Sequence, residues 1–221
     1  MRDSYREQLD DILADLVHMA QVVSAAVRTS TTALLEADLK LAEQVISEDQ
    51  QLDAKQVEIE SRAFSLLARQ APVAGELRTL VATLRMVTEL ERMGDLAAHV
   101  AKIARLRYPE SAVPSSLRAS FVRMADVAEK MVVTAGQTLN DRNIQTAQEL
   151  RDRDEEMDDL RRSQFRVLLS DDWPHGVEAA VDVALLGRYY ERIADHAASM
   201  GRRIIYVVTG SFPEPAVWPQ P

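Results

Sequence analysis

Apolar residues recur three and four positions apart from the start of this chain. Leu9, Ile12, Leu13, Leu16, Met19, Ala20, Val23, Val27 and Leu34 mark one stripe, the pattern of a helix with a single buried face, and predict one long helix to about residue 36. Asp38 then stands as an N-cap, and Leu39, Ala42 and Ile46 carry a second helix to about residue 69. The stretch QAPVAGE at 70–76 interrupts it, because Pro72 disfavours helical geometry at Ala71. A third helix is predicted from about 73 to 107, ending near Pro109.

The same three-part pattern follows. YPESAVPSS at 108–116 is the longest break before the tail, and Leu117, Phe121, Met124, Val127 and Met131 mark a fourth helix. A fifth begins near Asn143 and is ended by DDWPHG at 171–176, and a sixth runs from about 177 to 208. The closing GSFPEPAVWPQP has four prolines in its last nine residues and is expected to be non-helical. The halves align on themselves. Leu34, Asp38, Leu39, Ala42, Asp49 and Asp53 meet Leu139, Asn143, Ile144, Ala147, Asp154 and Asp158 at a shift of 154 − 49 = 105. Val81, Glu91, Arg92, Asp95, Ala97 and Ala98 meet Val181, Glu191, Arg192, Asp195, Ala197 and Ala198 at a shift of 191 − 91 = 100. The chain therefore reads as all-α, two tandem pseudo-repeated three-helix bundles arising by duplication. Residues 1–110 form the first repeat, 111–209 the second, and 210–221 a Pro-rich tail expected to be disordered.

Composition narrows the function. Aromatic residues are only 5% of the chain and there are 7 glycines, which disfavours a sheet protein. A formal charge of −9 argues against tracking a nucleic-acid backbone. The absence of cysteine excludes disulfides, thiolate metal sites and a cysteine nucleophile. A charged start, MRDSYREQLDDIL, and no stretch approaching the roughly 20 apolar residues of a membrane span lead to the expectation of a cytoplasmic protein.

The candidate chemistry lies in repeated acids. ERMGD at 91–95 returns as ERIAD at 191–195, and each half carries two acid-x-x-x-acid pairs: Asp49 with Asp53, Glu91 with Asp95, Asp154 with Asp158, and Glu191 with Asp195. Residues four apart share a helix face about 6 Å apart along the axis, so two pairs on neighbouring helices could form an oxygen cage. With 35 acids in 221 residues, about five such pairs arise by chance, so the weight rests on their matching places in two copies. The pairs follow apolar stripes, Leu77, Val81 and Leu84 on the third helix and Val177, Val181 and Ala184 on the sixth, and are expected to continue a core face. Cations must then compensate them. Oxygen-only ligands suit Mg²⁺, Mn²⁺ or iron, with Zn²⁺ a further candidate. The competing reading is a metal-free helical scaffold in which Glu91 pairs with Arg85 or Arg92, and Glu191 with Arg188 or Arg192. A carboxylate-bridged metalloenzyme would need Glu-x-x-His pairs, but His99 and His196 stand eight and five residues after the glutamates. Together with His18 and His175 they read as packed or solvated. No nucleophile motif, phosphate-cradling loop or nucleotide fingerprint is present, so no enzyme activity is expected.

LLARQAPVAGELRTLVATLRMVTELERMGDLAAHVAKIA at 66–104 and LLGRYYERIADHAASMGRRI at 185–204 resemble the PhoU family of phosphate-transport accessory and regulatory proteins, in particular its actinobacterial members. The resemblance spans about 1–208. It implies a pair of three-helix bundles and metal binding by Asp49, Asp53, Glu91, Asp95, Asp154, Asp158, Glu191 and Asp195. Leu96 departs from the histidine or tyrosine common in the family after the aspartate, whereas His196 keeps it. The function implied is negative regulation of the phosphate-starvation response, coupling the ATPase of the high-affinity phosphate importer to a membrane sensor histidine kinase. A homodimer is the expected assembly.

Overall fold

A computed structural model of the chain describes residues 2–213; most of the tail, including Trp218, lies outside the described residues. Among the described residues six helices run in order: α1 (Arg2–Glu36), α2 (Leu39–Gln70), α3 (Ala74–Arg107), α4 (Arg118–Asp141), α5 (Ile144–Leu168) and α6 (Gly176–Thr209), with a 3₁₀ turn at Ser115–Leu117 ahead of α4. No strand occurs among the described residues.

The breaks fall where local chemistry puts them. Asp38 accepts a hydrogen bond from Leu41 N at 3.0 Å, and Asn143 accepts from Gln145 N at 2.9 Å and Thr146 N at 3.3 Å, so equivalent residues cap α2 and α5. Ala71, ahead of Pro72, leaves the helix with φ of 42°.

Helices α1–α3 pack on one another, as do α4–α6. The halves meet through α1 against α4 and α3 against α6. Gly136 allows the first contact, because a Cβ there would lie 2.8 Å from that of Ala20. Tyr190, fully buried on α6, shares a 2.7 Å hydrogen bond with Thr31 of α1 and packs its ring 6.1 Å from Phe121 of α4. At the far end Arg107, in the last turn of α3, reaches Asp182 and Glu178 near the start of α6. Leu16, Val27, Leu90, Met131, Leu186 and Ile193 belong to one apolar core that is continuous from half to half.

Two expectations change. Helix α1, over Tyr5–Glu36, is by length and composition apolar enough to cross a membrane, contrary to the reading of the sequence; its Ile12, Leu16, Met19 and Val23 are buried in the core. The acidic pairs do not continue a core face either. Leu77 and Val81 are 40% and 45% exposed, and Val177 and Val181 are 81% and 51% exposed. The buried face of α3 carries Leu80, Met86, Val87, Leu90, Met93 and Ala97 instead. A long helix bears more than one apolar stripe, and periodicity alone does not say which of them meets a neighbour.

Candidate functional site

Each half brings its two acid pairs onto facing surfaces of two helices. In the first half Gly94 lets α2 and α3 close up: a Cβ on it would run into Leu52 and lie 3.6 Å from Oδ1 of Asp49. Asp49 is thereby set beside the ERMGD turn that carries Glu91 and Asp95, with Asp53 one turn further along α2. Burial and the neighbouring charges of Asp95 and Asp53 push the Asp49 carboxyl up, against smaller opposing effects of Lys102 and His99. Glu91 is pushed up by burial and by Asp95. The nearest cation to Glu91 is Arg92 at 3.7 Å, which is 60% exposed.

In the second half α5 supplies Asp154 and Asp158, and α6 supplies Glu191 and Asp195. Burial, then Asp195 and Asp158, push Asp154 up to about 7. Asp158 and Asp195 are also raised, each by burial first and Glu191 second. Arginines enter here. Glu191 accepts from Arg161 of α5 and from Arg188 of α6, while Arg192 stands 3.5 Å from Asp195. Among the described residues, no three carboxylate or histidine side chains converge closely enough to enclose a cation. The eight acids thus form two mutually repelling groups, each spread across a pair of helices.

A PhoU domain matches residues 16–104 and again 121–204. The chain belongs to the PhoU family. It is 45% identical over 214 residues to the phosphate-specific transport system accessory protein PhoU homolog 1 of Mycobacterium leprae, covering 97% of this chain and 96% of that protein. It is 46% identical to PhoU homolog 2 of Mycobacterium tuberculosis, covering 96% of this chain and all of that protein. The crystal structure of PhoU from Pseudomonas aeruginosa superposes with a TM-score of 0.88 at 28% identity, covering 94% of this chain and 100% of that one.

Between the two PhoU domains lies a polar clasp that sequence reasoning missed. Glu89 of α3 accepts from Ser199 at 2.9 Å and from Arg203 at 3.1 Å, and His196 Nδ1 lies 2.6 Å from its other oxygen. Burial alone would raise this carboxyl, but those hydrogen bonds hold it down at about 2. Glu89 has no repeat partner of its own kind: the matching position holds Tyr189, which stacks on His99 at 5.4 Å. His196 reads in the sequence as a packed or solvated histidine, whereas here it is an ion-pair partner of Glu89. Arg161 was also missed, being thirty residues from its partner.

Proposed function

We propose that this protein is a regulatory accessory component of phosphate transport. It acts in the cytoplasm as a negative regulator of the phosphate-starvation response, linking the importer's ATPase to a sensor histidine kinase by direct contact. The observation that carries this reading is near-full-length similarity to proteins named phosphate-specific transport system accessory proteins, extending to one from Rhizobium meliloti at 30% identity.

Physical features support a contact-based mode of action. The chain is built from long helices, and we read its repeats as 1–110 and 111–209. Each exposes an apolar face near the same end: Phe64, Val73 and Val81 in the first, Leu169, Val177 and Val181 in the second. Exposed apolar faces of this kind suit docking, either to partners or in a homodimer.

Metal is assigned to the acidic groups. Carboxylates that push up one another's proton affinity also favour a cation, which relieves the same repulsion. The first group has the fewer cations near it, and Asp49, Asp53, Glu91 and Asp95 would have to draw together around an ion, because no three of these side chains converge on one point among the described residues. A bound Mg²⁺, Mn²⁺, iron or Zn²⁺ ion would fix α2 against α3 and hold the docking faces in register. In the second half, the pairing of Glu191 with Arg161 and Arg188 favours the alternative of a metal-free scaffold.

Capture of partners on the tagged protein from phosphate-replete cells, with and without chelator, tests the reading. Retention of the importer ATPase or a sensor kinase, weakened by chelator, is the expected result. Retention of neither contradicts the adaptor role, and retention insensitive to chelator removes the metal from it.

A further inference from the structure

The hairpin that joins α5 to α6 holds a groove away from the acidic groups. It has a volume of about 470 Å³ and is lined by Phe165, Leu168 and Leu169 at the end of α5, by Trp173 in the connection, and by Val177 and Val181 at the start of α6. Leu169 and Val177 are each 81% exposed. On α6 the lining runs on to Ala184, and 184 − 177 = 7 residues make about 10 Å, or two helical turns. Trp173 Nε1 donates to the Gly176 carbonyl at 2.8 Å, so the polar side-chain group in this lining is already satisfied. A small-molecule site needs a few convergent polar groups to orient its ligand. This lining instead suits the apolar side chains of another protein.

Charge selects among such occupants. Trp173 N donates to the Ser170 carbonyl at 3.2 Å, which closes a turn with Asp171 and Asp172 at its tip. Both are exposed, and neither makes an ion pair among the described residues. Two uncompensated carboxylates therefore stand between two groove residues, Leu169 and Trp173. Of the nearby arginines, Arg162 is paired with Asp159 and Arg188 with Glu191, while Arg166 lies about 100° round α5 from Phe165. An anionic lipid surface would be repelled by the aspartates. A second copy seated on the same groove across a twofold axis would bring like charges into one small interface. A basic partner is attracted, both by this turn and by the net charge of −9.

The other repeat shows which part of this surface is particular to the second half. Positions 169 − 105 = 64, 177 − 100 = 77 and 181 − 100 = 81 are Phe64, Leu77 and Val81, also apolar and exposed. The connection there reads Arg69, Gln70, Ala71, Pro72 and Val73, with neither an acid nor a tryptophan. The apolar face is thus common to both hairpins, and the acidic turn belongs to one.

We propose that the groove between α5 and α6 receives a short amphipathic helix of a partner protein. Its apolar side chains, spaced at i, i+3 or i+4, and i+7, pack on Leu169, Val177 and Val181, and a lysine or arginine at its end meets Asp171 and Asp172. The inference rests on the contact-based reading above and adds to it the surface used and the chemistry of what docks there.

The test is fluorescence anisotropy of two labelled helical peptides with the full-length chain. Both carry leucines at i, i+3, i+4 and i+7; one ends in lysines and the other in glutamates. The lysine-ended peptide is expected to bind the more tightly, and to weaken as salt is raised. Val177→Asp should weaken it roughly tenfold or more, because it sets a charge in the apolar contact. Asp171→Asn/Asp172→Asn should weaken it roughly threefold or more and remove most of the salt dependence. Val122→Asp, at a half-exposed position on α4, should change nothing. These positions are exposed, so each variant should melt with the unaltered chain. Binding of neither peptide, equal binding of both, or binding indifferent to Val177→Asp would overturn the inference. Self-association of the chain abolished by Val177→Asp would also overturn it, by giving the groove to a second copy. The adaptor reading stands or falls separately, on retention of the importer ATPase or the kinase.

Discussion

At the scale of single residues, Glu89 is the side chain whose ionisation contributes most visibly to the fold. Its carboxyl is held at about 2 by His196, Arg203 and Ser199, below its ordinary value of 4.5. A depressed folded-state value contributes stability that is fully present above the unfolded value and is lost as pH falls through the folded one. The chain should therefore lose on the order of 2 kcal/mol between about pH 5 and pH 2 through this group, allowing for its partial solvent screening. Glu89→Gln should lower the melting temperature at neutral pH, and the gap to the unaltered protein should close as the solution is acidified. A gap that stays constant across that range would show that the clasp acts by packing rather than by charge. Nothing in the sequence marks Glu89, because its partners lie more than a hundred residues away on α6 and its repeat counterpart is a tyrosine.

At the scale of helices, the legible features were those that depend on neighbours in the chain. Asp38 and Asn143 were identifiable as caps, because an N-cap is one side chain bonding to backbone two or three residues on. Pro72 marked the α2–α3 break for a similarly local reason. The direction in which a stripe faces was not legible: Leu77 and Val81 have the spacing of core residues yet are exposed, since the chain alone does not state which side of α3 meets α1, α2 or α6. The closeness of α1 to α4 was equally hidden, although Gly136 enables it. Gly136→Val should wedge these helices apart at Ala20 and cost about 1–3 kcal/mol in urea unfolding, more than offsetting the removal of a flexible glycine. An unchanged or raised midpoint would contradict the close crossing.

At the scale of the whole molecule, duplication made the architecture readable. Two shifts, 105 and 100, superimpose helix caps and acid pairs, and the PhoU domain falls twice on the chain at the corresponding places. The eight acids were legible as a set, but the difference in their charge pairing was not. It depends on Arg161 and Arg188 reaching Glu191 in one copy while Gln56 and Thr88 bond within their own helices in the other. A duplicated protein can keep one fold in both copies while their charge compensation diverges, because a few side chains on the facing helices decide it. The continuous core and the clasp at Glu89 join the two halves.

The most direct measurement is the output of a phosphate-starvation reporter in phosphate-replete cells lacking this protein, complemented with the unaltered chain or with Asp49→Asn/Asp95→Asn. Reporter activity should rise on deletion, fall when the unaltered chain is restored, and remain high with the variant. A reporter that stays silent in the deletion strain would contradict the proposed role as a negative regulator of the phosphate response.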